Sequence, residues 1–158
     1  VTTNPCGEVL LYPNEPCNLG SVNVWAFARQ DDDGNTHVDW ESMKGVVRSC
    51  TRFLDNVIDV NNFPLKAIEE MSLATRKVGL GVMGVGDLLY ELKIPYNTEE
   101  GRNFMEHLME FIAYWSKVES IELAKARGNL PYYNKSFYKE GRLPITGIDE
   151  KDKLHSSC

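Results

Sequence analysis

The stretch Asn4-Pro5-Cys6-Gly7-Glu8, followed by Cys17-Asn18-Leu19-Gly20-Ser21-Val22-Asn23, decides how this chain is read. Pro5, Pro13 and Pro16 fall close together and exclude a helix over this N-terminal stretch. The five residues read as a tight loop, and in an extended or loop backbone residues two apart point the same way. Asn4, Cys6 and Glu8 are therefore expected to face one pocket. The amide can hold a polar substrate, the thiol can act as nucleophile or hydrogen donor, and the carboxylate can be a base. A thiolate nucleophile wants positive neighbours. A carboxylate beside the thiol suits one that works by losing a hydrogen atom. The other reading of these five residues is an ordinary proline turn around a buried cysteine.

Working outward, Val9 to Leu11 is a short extended piece, and Ser21 to Ala28 alternates like a strand with apolar residues on both faces. Asp31-Asp32-Asp33-Gly34-Asn35 has the composition of a turn. Asp39 is a suitable N-cap for a helix over about 40–60, whose apolar stripe includes Cys50. Pro64 ends that helix. Leu65 to Lys77 is expected as a second helix and Gly84 to Leu92 as a third. Thr98 caps a long fourth helix with Glu99 and Glu100 in its first turn, and Gly128 closes it. Residues 129–158 read as an irregular tail with an aromatic patch of Tyr132, Tyr133, Phe137 and Tyr138, in which packing is preferred to nucleic-acid contact.

The whole chain has 158 residues, 42% apolar and 25% charged, which suits a folded core rather than disorder. Its 23 acidic and 17 basic residues give a net charge of -6 and argue against a nucleic-acid binder. No apolar run is long enough for a membrane helix. The chain opens at Val1 without an initiator methionine or a signal peptide, so it reads as processed or as a piece of a longer polypeptide. Cys6, Cys17, Cys50 and Cys158 form no C-x-x-C pair, and His37, His107 and His155 are scattered, so no zinc site is expected. Cys50 reads as core, and His107 as a packing or surface residue.

Gly79-Leu80-Gly81-Val82-Met83-Gly84 matches G-x-G-x-x-G, the dinucleotide fingerprint. That fingerprint works between a strand and a helix. The segment before it, Ile68 to Lys77, looks helical, so the glycines are read instead as permitting close backbone approach. An NAD-dependent oxidoreductase using Gly79 to Gly84 stays as an alternative.

Taken together, these motifs resemble the large, catalytic chain of ribonucleotide reductases. Asn4 to Glu8 and Cys17 to Asn23 are similar to its active-site segment. Arg52-Phe53-Leu54-Asp55-Asn56-Val57-Ile58-Asp59, Arg76 to Gly84, and Ala124 to Pro131 follow in the family's order. The likeness is greatest to the adenosylcobalamin-dependent enzymes, with the iron- or manganese-dependent class, which uses a metal-radical partner subunit, as the other option.

The resemblance implies an α/β fold: a fragment of a ten-stranded α/β barrel, largely helical after an N-terminal loop and strand. Residues 1–28 would carry the finger loop and strand, 39–128 the helices, and 129–158 the tail. Cys6 would be the transient thiyl radical that takes the 3′ hydrogen of a ribonucleotide, Glu8 the base at the 3′ hydroxyl, and Asn4 a partner of the ribose hydroxyls. Cys17 would be one of two cysteines that reduce the 2′ position and end as a disulfide, its partner lying outside this chain. Pro144-Ile145-Thr146-Gly147-Ile148 only echoes the family's phosphate-binding segment, and Cys158 is not assigned as a shuttle cysteine. The implied partners are a ribonucleotide, thioredoxin or glutaredoxin, the rest of the reductase chain and a second copy of it. The implied setting is cytoplasmic, and the chain alone is expected to be inactive. A non-catalytic helical interaction module is the competing expectation.

Overall fold

The computed structural model of the chain describes residues 2–7 and 9–141. Glu8, the Pro144–Ile148 echo, His155 and Cys158 lie outside the described residues.

The chain begins with a short antiparallel hairpin of β1 (Thr2–Thr3) and β2 (Leu10–Leu11), then runs into β3 (Asn18–Asn23). A single 3-10 turn, Val24–Phe27, leads to β4 (Ala28–Gln30) and β5 (Thr36–Val38), a second antiparallel hairpin. The Asp31 carboxylate closes it by accepting hydrogen bonds from the Asn35 and Asp33 N–H groups at 2.8 and 3.1 Å. Helices α1 (Trp40–Val60) and α2 (Lys66–Thr75) follow, then β6 (Val78–Met83), α3 (Val85–Glu91) and α4 (Glu99–Arg127). This is the α/β chain expected, largely helical after its N-terminal loop and strands. Among the described residues the strands pair two by two, and no barrel closes.

Two expectations need correcting. The strand read at 21–28 lies at Asn18–Asn23 instead, because Val24 and Phe27 enter the core at a spacing of three, which a 3-10 turn places on one side. Burial there is also one-sided, since Ser21, Asn23 and Trp25 are exposed. Secondly, residues 78–83 form a strand that the sequence did not suggest. β6 runs parallel to β3 in a continuous register from Asn18↔Val78 to Asn23↔Met83. Glycines at 79 and 81 carry weak strand propensity and masked it.

The helices match the sequence more closely. Asp39 accepts a hydrogen bond from the Ser42 N–H at 3.0 Å and starts α1 at the expected residue. Met43, Val47, Thr51, Leu54 and Ile58 are its buried face. α2 stops short of Lys77 because Arg76 turns left-handed, at φ 47°. Thr98 caps α4 through the Gly101 N–H. Val22, Val24, Phe27, Met43, Val47, Leu88, Leu108 and Ile112 form one core between the β3–β6 sheet, α1, α3 and α4. Each such side chain contributes about 1.5–3 kcal/mol by leaving water. Cys50 packs against this core, and exposed His107 meets the Trp40 ring edge-on at 5.1 Å. In the tail, 3-10 turns at Tyr133–Lys135 and Phe137–Glu140 replace a fully irregular run. Lys117 donates to the Tyr138 hydroxyl at 3.1 Å, and Lys135 lies 4.1 Å over the Tyr132 ring. No helix among the described residues is long and apolar enough to cross a membrane.

Charges fasten the helices together. Glu119 of α4 is 2% exposed and accepts hydrogen bonds from Arg48 Nε at 2.8 Å and Arg52 Nε at 2.7 Å, both on α1. Asp55 and Asp59, one helical turn apart on α1, both accept from Arg76 at 2.7 Å. Arg127 at the end of α4 reaches Asp55 at 2.8 Å and Asn56 at 2.6 Å. The Arg76 guanidinium, hydrogen-bonded to it, holds the Asp59 carboxyl below its ordinary range despite some burial. A carboxyl depressed in the folded state contributes stability that is present above its unfolded pKa of about 4 and is lost as pH falls through the folded value. We predict that the urea midpoint drops as pH is lowered below that range, and that Asp59→Asn flattens this acid limb. An acid limb identical in parent and variant would show the network to be idle.

Candidate active site

The residues Asn4 to Gly7 are the turn of the β1–β2 hairpin. Gly7 N–H donates to the Asn4 carbonyl at 3.1 Å, and Gly7 takes the left-handed conformation at φ 78°. Pro5 supplies the fixed φ that the second position of such a turn wants. Cys6 stands exposed at the tip. The Asn4 side-chain oxygen accepts a hydrogen bond from the Val9 N–H at 3.2 Å and braces the loop. The segment is thus a tight turn, as its prolines suggested, with Glu8 outside the described residues. The Asn4 carboxamide oxygen is used inside the loop, so its NH2 is the end that can address a hydroxyl. The structure brings Asn4 and Cys6 into one turn.

Cys17 sits on a different segment, immediately before β3. It is half-buried and helps to line a cleft of about 230 Å³ with Pro16, Asn18, Val57, Asn61 and Lys77. The Asn18 side-chain NH2 donates to the Leu54 carbonyl at 2.8 Å and moors this end of β3 to α1. Period-two alternation then puts Leu19, Ser21 and Asn23 on the face of the sheet away from α1, beside Gly79, Gly81 and Met83 of β6. A Cβ on Gly79 would crowd Leu19 and lie 3.7 Å from the Cys17 sulfur. The missing side chain leaves room beside the thiol.

Sequence reasoning passed over Glu15 and Lys77. The Glu15 side chain is 1% exposed, and its Oε2 accepts from the Tyr12 N–H and from Lys77 Nζ, each at 2.9 Å. Lys77 Nζ also donates to the Leu10 carbonyl at 3.1 Å. Burial alone would raise the Glu15 carboxyl, but the Lys77 ammonium and the Tyr12 N–H outweigh it and hold it below its ordinary value. The one available signal was an acid between prolines, Glu15-Pro16, in a turn that separates two cysteines.

The glycine motif does not have fingerprint geometry. Gly79 and Gly81 lie inside β6, not in the turn after it. Gly84 alone occupies the strand-to-helix junction, as the left-handed N-cap of the seven-residue α3. A Cβ on Gly84 would collide with the Asn23 carboxamide and sit 3.1 Å from the Trp25 Cβ, so close packing of the junction on Asn23 and Trp25 requires glycine there. Among the described residues no group of three His, Cys, Asp or Glu is arranged to hold a metal ion.

Comparison with known proteins adds to this geometry. The family described as "Ribonucleotide reductase, barrel domain" matches residues 1–157. A Vitamin B12-dependent ribonucleoside-diphosphate reductase of Thermoplasma acidophilum is 45% identical over 141 residues, which is 89% of this chain and 18% of that protein. A protein of the same description from Mycobacterium tuberculosis is 46% identical over 134 residues, 85% of this chain and 19% of the relative. A ribonucleoside-diphosphate reductase subunit alpha of Chlamydia pneumoniae is 40% identical over 151 residues, 93% of this chain and 14% of the relative. The chain thus spans about a fifth or less of the length of these relatives.

The two glycine environments predict different tolerances. Gly84→Ala forces a positive φ and meets neighbours closely packed around it, and should cost about 1–3 kcal/mol in denaturant unfolding. Gly79→Ala meets the end of the half-exposed Leu19 side chain, which can swing aside, and should cost less. Equal losses would mean that the left-handed junction is not the constraint.

Proposed function

Since this chain belongs to the ribonucleotide reductase large-chain family, we propose that it is the segment supplying the radical cysteine and one redox cysteine for reduction of ribonucleoside diphosphates. The observation that carries the reading is the exposed Cys6 thiol at the tip of a braced turn, with Cys17 on a neighbouring segment held through Lys77. An accessible thiol on a hydrogen-bonded tip suits contact with both a radical source and a substrate.

In this reading Cys6, as the thiyl, removes the hydrogen atom from the 3′ carbon and becomes a thiol. Glu8 takes the proton of the 3′ hydroxyl, and the Asn4 NH2 orients the ribose hydroxyls. The 2′ carbon–oxygen bond breaks and its oxygen leaves as water. Cys17 and a cysteine outside this chain supply two electrons and two protons and end as a disulfide. The hydrogen atom then returns from Cys6 to the 3′ carbon, and Glu8 returns its proton to the 3′ oxygen. Thioredoxin or glutaredoxin would reduce the disulfide, and the working enzyme would be a cytoplasmic homodimer.

Adenosylcobalamin would act here on the exposed Cys6 thiol. When bound it would supply the one-electron oxidation of that thiol. The names of the Thermoplasma and Mycobacterium relatives support this cofactor. The Chlamydia relative, named as a subunit alpha, supports the second reading, a metal-radical partner subunit.

We predict that full-length protein reduces nucleoside diphosphates only with adenosylcobalamin; activity with a partner subunit alone would select the second reading. Cys6→Ser should abolish turnover, by about 10³-fold or more if the thiol is the reacting atom. Cys17→Ser should keep 3′ hydrogen abstraction but stop thioredoxin-supported cycling. Normal multiple turnover in either variant would sink the assignment of roles. The isolated 158-residue chain should be inactive.

A further inference from the structure

We propose that Lys77 is a positioning residue that sets the Cys6 hairpin against the Cys17 strand; this rests on the thiol roles given above. Its main chain and its side chain hold different segments. The Lys77 carbonyl accepts a hydrogen bond from the N–H of Asn18, the residue after Cys17, at 3.3 Å. Its ammonium donates to the carbonyl of Leu10, in the strand that completes the Cys6 hairpin, at 3.1 Å. The same ammonium meets Glu15 Oε2 at 2.9 Å, and that oxygen also accepts from the Tyr12 N–H. One residue therefore fixes both thiol-bearing segments, with Glu15 as its buried counter-charge.

Stability alone does not account for the pair. A buried ion pair is often no better than apolar residues of equal volume. Here one oxygen, Glu15 Oε1, is buried with no hydrogen-bond partner among the described residues, a feature that an apolar side chain would avoid. What the pair supplies is direction: the ammonium binds Leu10 of the hairpin and Glu15 in the turn that follows it, and the adjoining backbone binds the Cys17 side. Lys77 also lines the cleft that contains Cys17. The chemistry needs both thiols to address one ribose in sequence, and a misplacement of about 1 Å can cost as much as 10²-fold in rate.

The test uses the full-length reductase that carries this segment, with ribonucleotide tritiated at the 3′ position. Lys77→Met is expected to lower kcat at least about tenfold. The nucleotide KM should stay within about threefold of the parent. Tritium should be released in excess over the deoxynucleotide formed, because hydrogen abstraction at Cys6 is no longer matched by reduction at Cys17. Lys77→Arg, which keeps charge and donors, should recover part of the coupling. Glu15→Gln, nearly isosteric, should shift the same ratio in the same direction, and it decides the matter if Lys77→Met does not fold. A parental ratio of tritium release to product in Glu15→Gln and in any folded Lys77→Met overturns the proposal. So does activity that falls only with the folded fraction while the ratio holds. Cys6→Ser separates the two levels: turnover there refutes the thiol roles themselves, whereas a dead Cys6→Ser beside parental Lys77 and Glu15 variants refutes the positioning role alone.

Discussion

The parallel pairing of β3 with β6 is the constraint from which the rest follows. Its register, Asn18↔Val78 through Asn23↔Met83, joins strands far apart in sequence. One face of the pair packs on α1, where a Cβ at Gly20 would lie 3.4 Å from Leu54. The other face bears Leu19, Ser21 and Asn23 opposite the small Gly79 and Gly81. A shift of one residue would exchange those faces, placing Val22 in solvent and Ser21 against the helix. The same register puts Lys77, just before β6, beside Asn18, just after Cys17. Position of the redox cysteine and burial of the core are thus fixed by one ladder.

Charge works at the periphery of this ladder. Glu119 draws α4 onto α1 through Arg48 and Arg52, and Arg76 ties the end of α2 to Asp55 and Asp59. Arg76 can do so because it leaves the helix in a left-handed conformation and turns its guanidinium back toward α1. The motif residues Arg52, Asp55, Asp59 and Arg76, which carried the resemblance to the reductase family, therefore act as fasteners between elements. Their place in the fold explains why the motif is spread over distant segments.

Local chemistry made the helices readable. Asp39, the apolar spacing after it and Asn61 to Pro64 delimit α1 within the sequence itself. Strand positions were less readable, because the alternation Val22, Val24 continues smoothly into a 3-10 turn and only the burial of Phe27 shows the change of period. β6 was hidden because a strand rich in glycine has no intrinsic preference to advertise; its partner supplies the reason for its existence. At the site, Cys6 and Cys17 stood out by type and neighbourhood, whereas Glu15 and Lys77 did not. A surface-type pair that becomes buried can be recognised only once the hairpin and β6 are placed together.

The ladder also carries an implication for the order of folding. The chain between Asn23 and Val78 must close a loop of roughly fifty residues, at an entropic cost of about 3–4 kcal/mol before any contact across the ladder is gained. Helices α1 and α2 lie within that loop and can form from local contacts first, shortening the search. The Lys77–Glu15 bridge spans the same separation and cannot exist before the strands meet. The two thiol segments therefore acquire their mutual geometry only once these distant regions of the chain have come together.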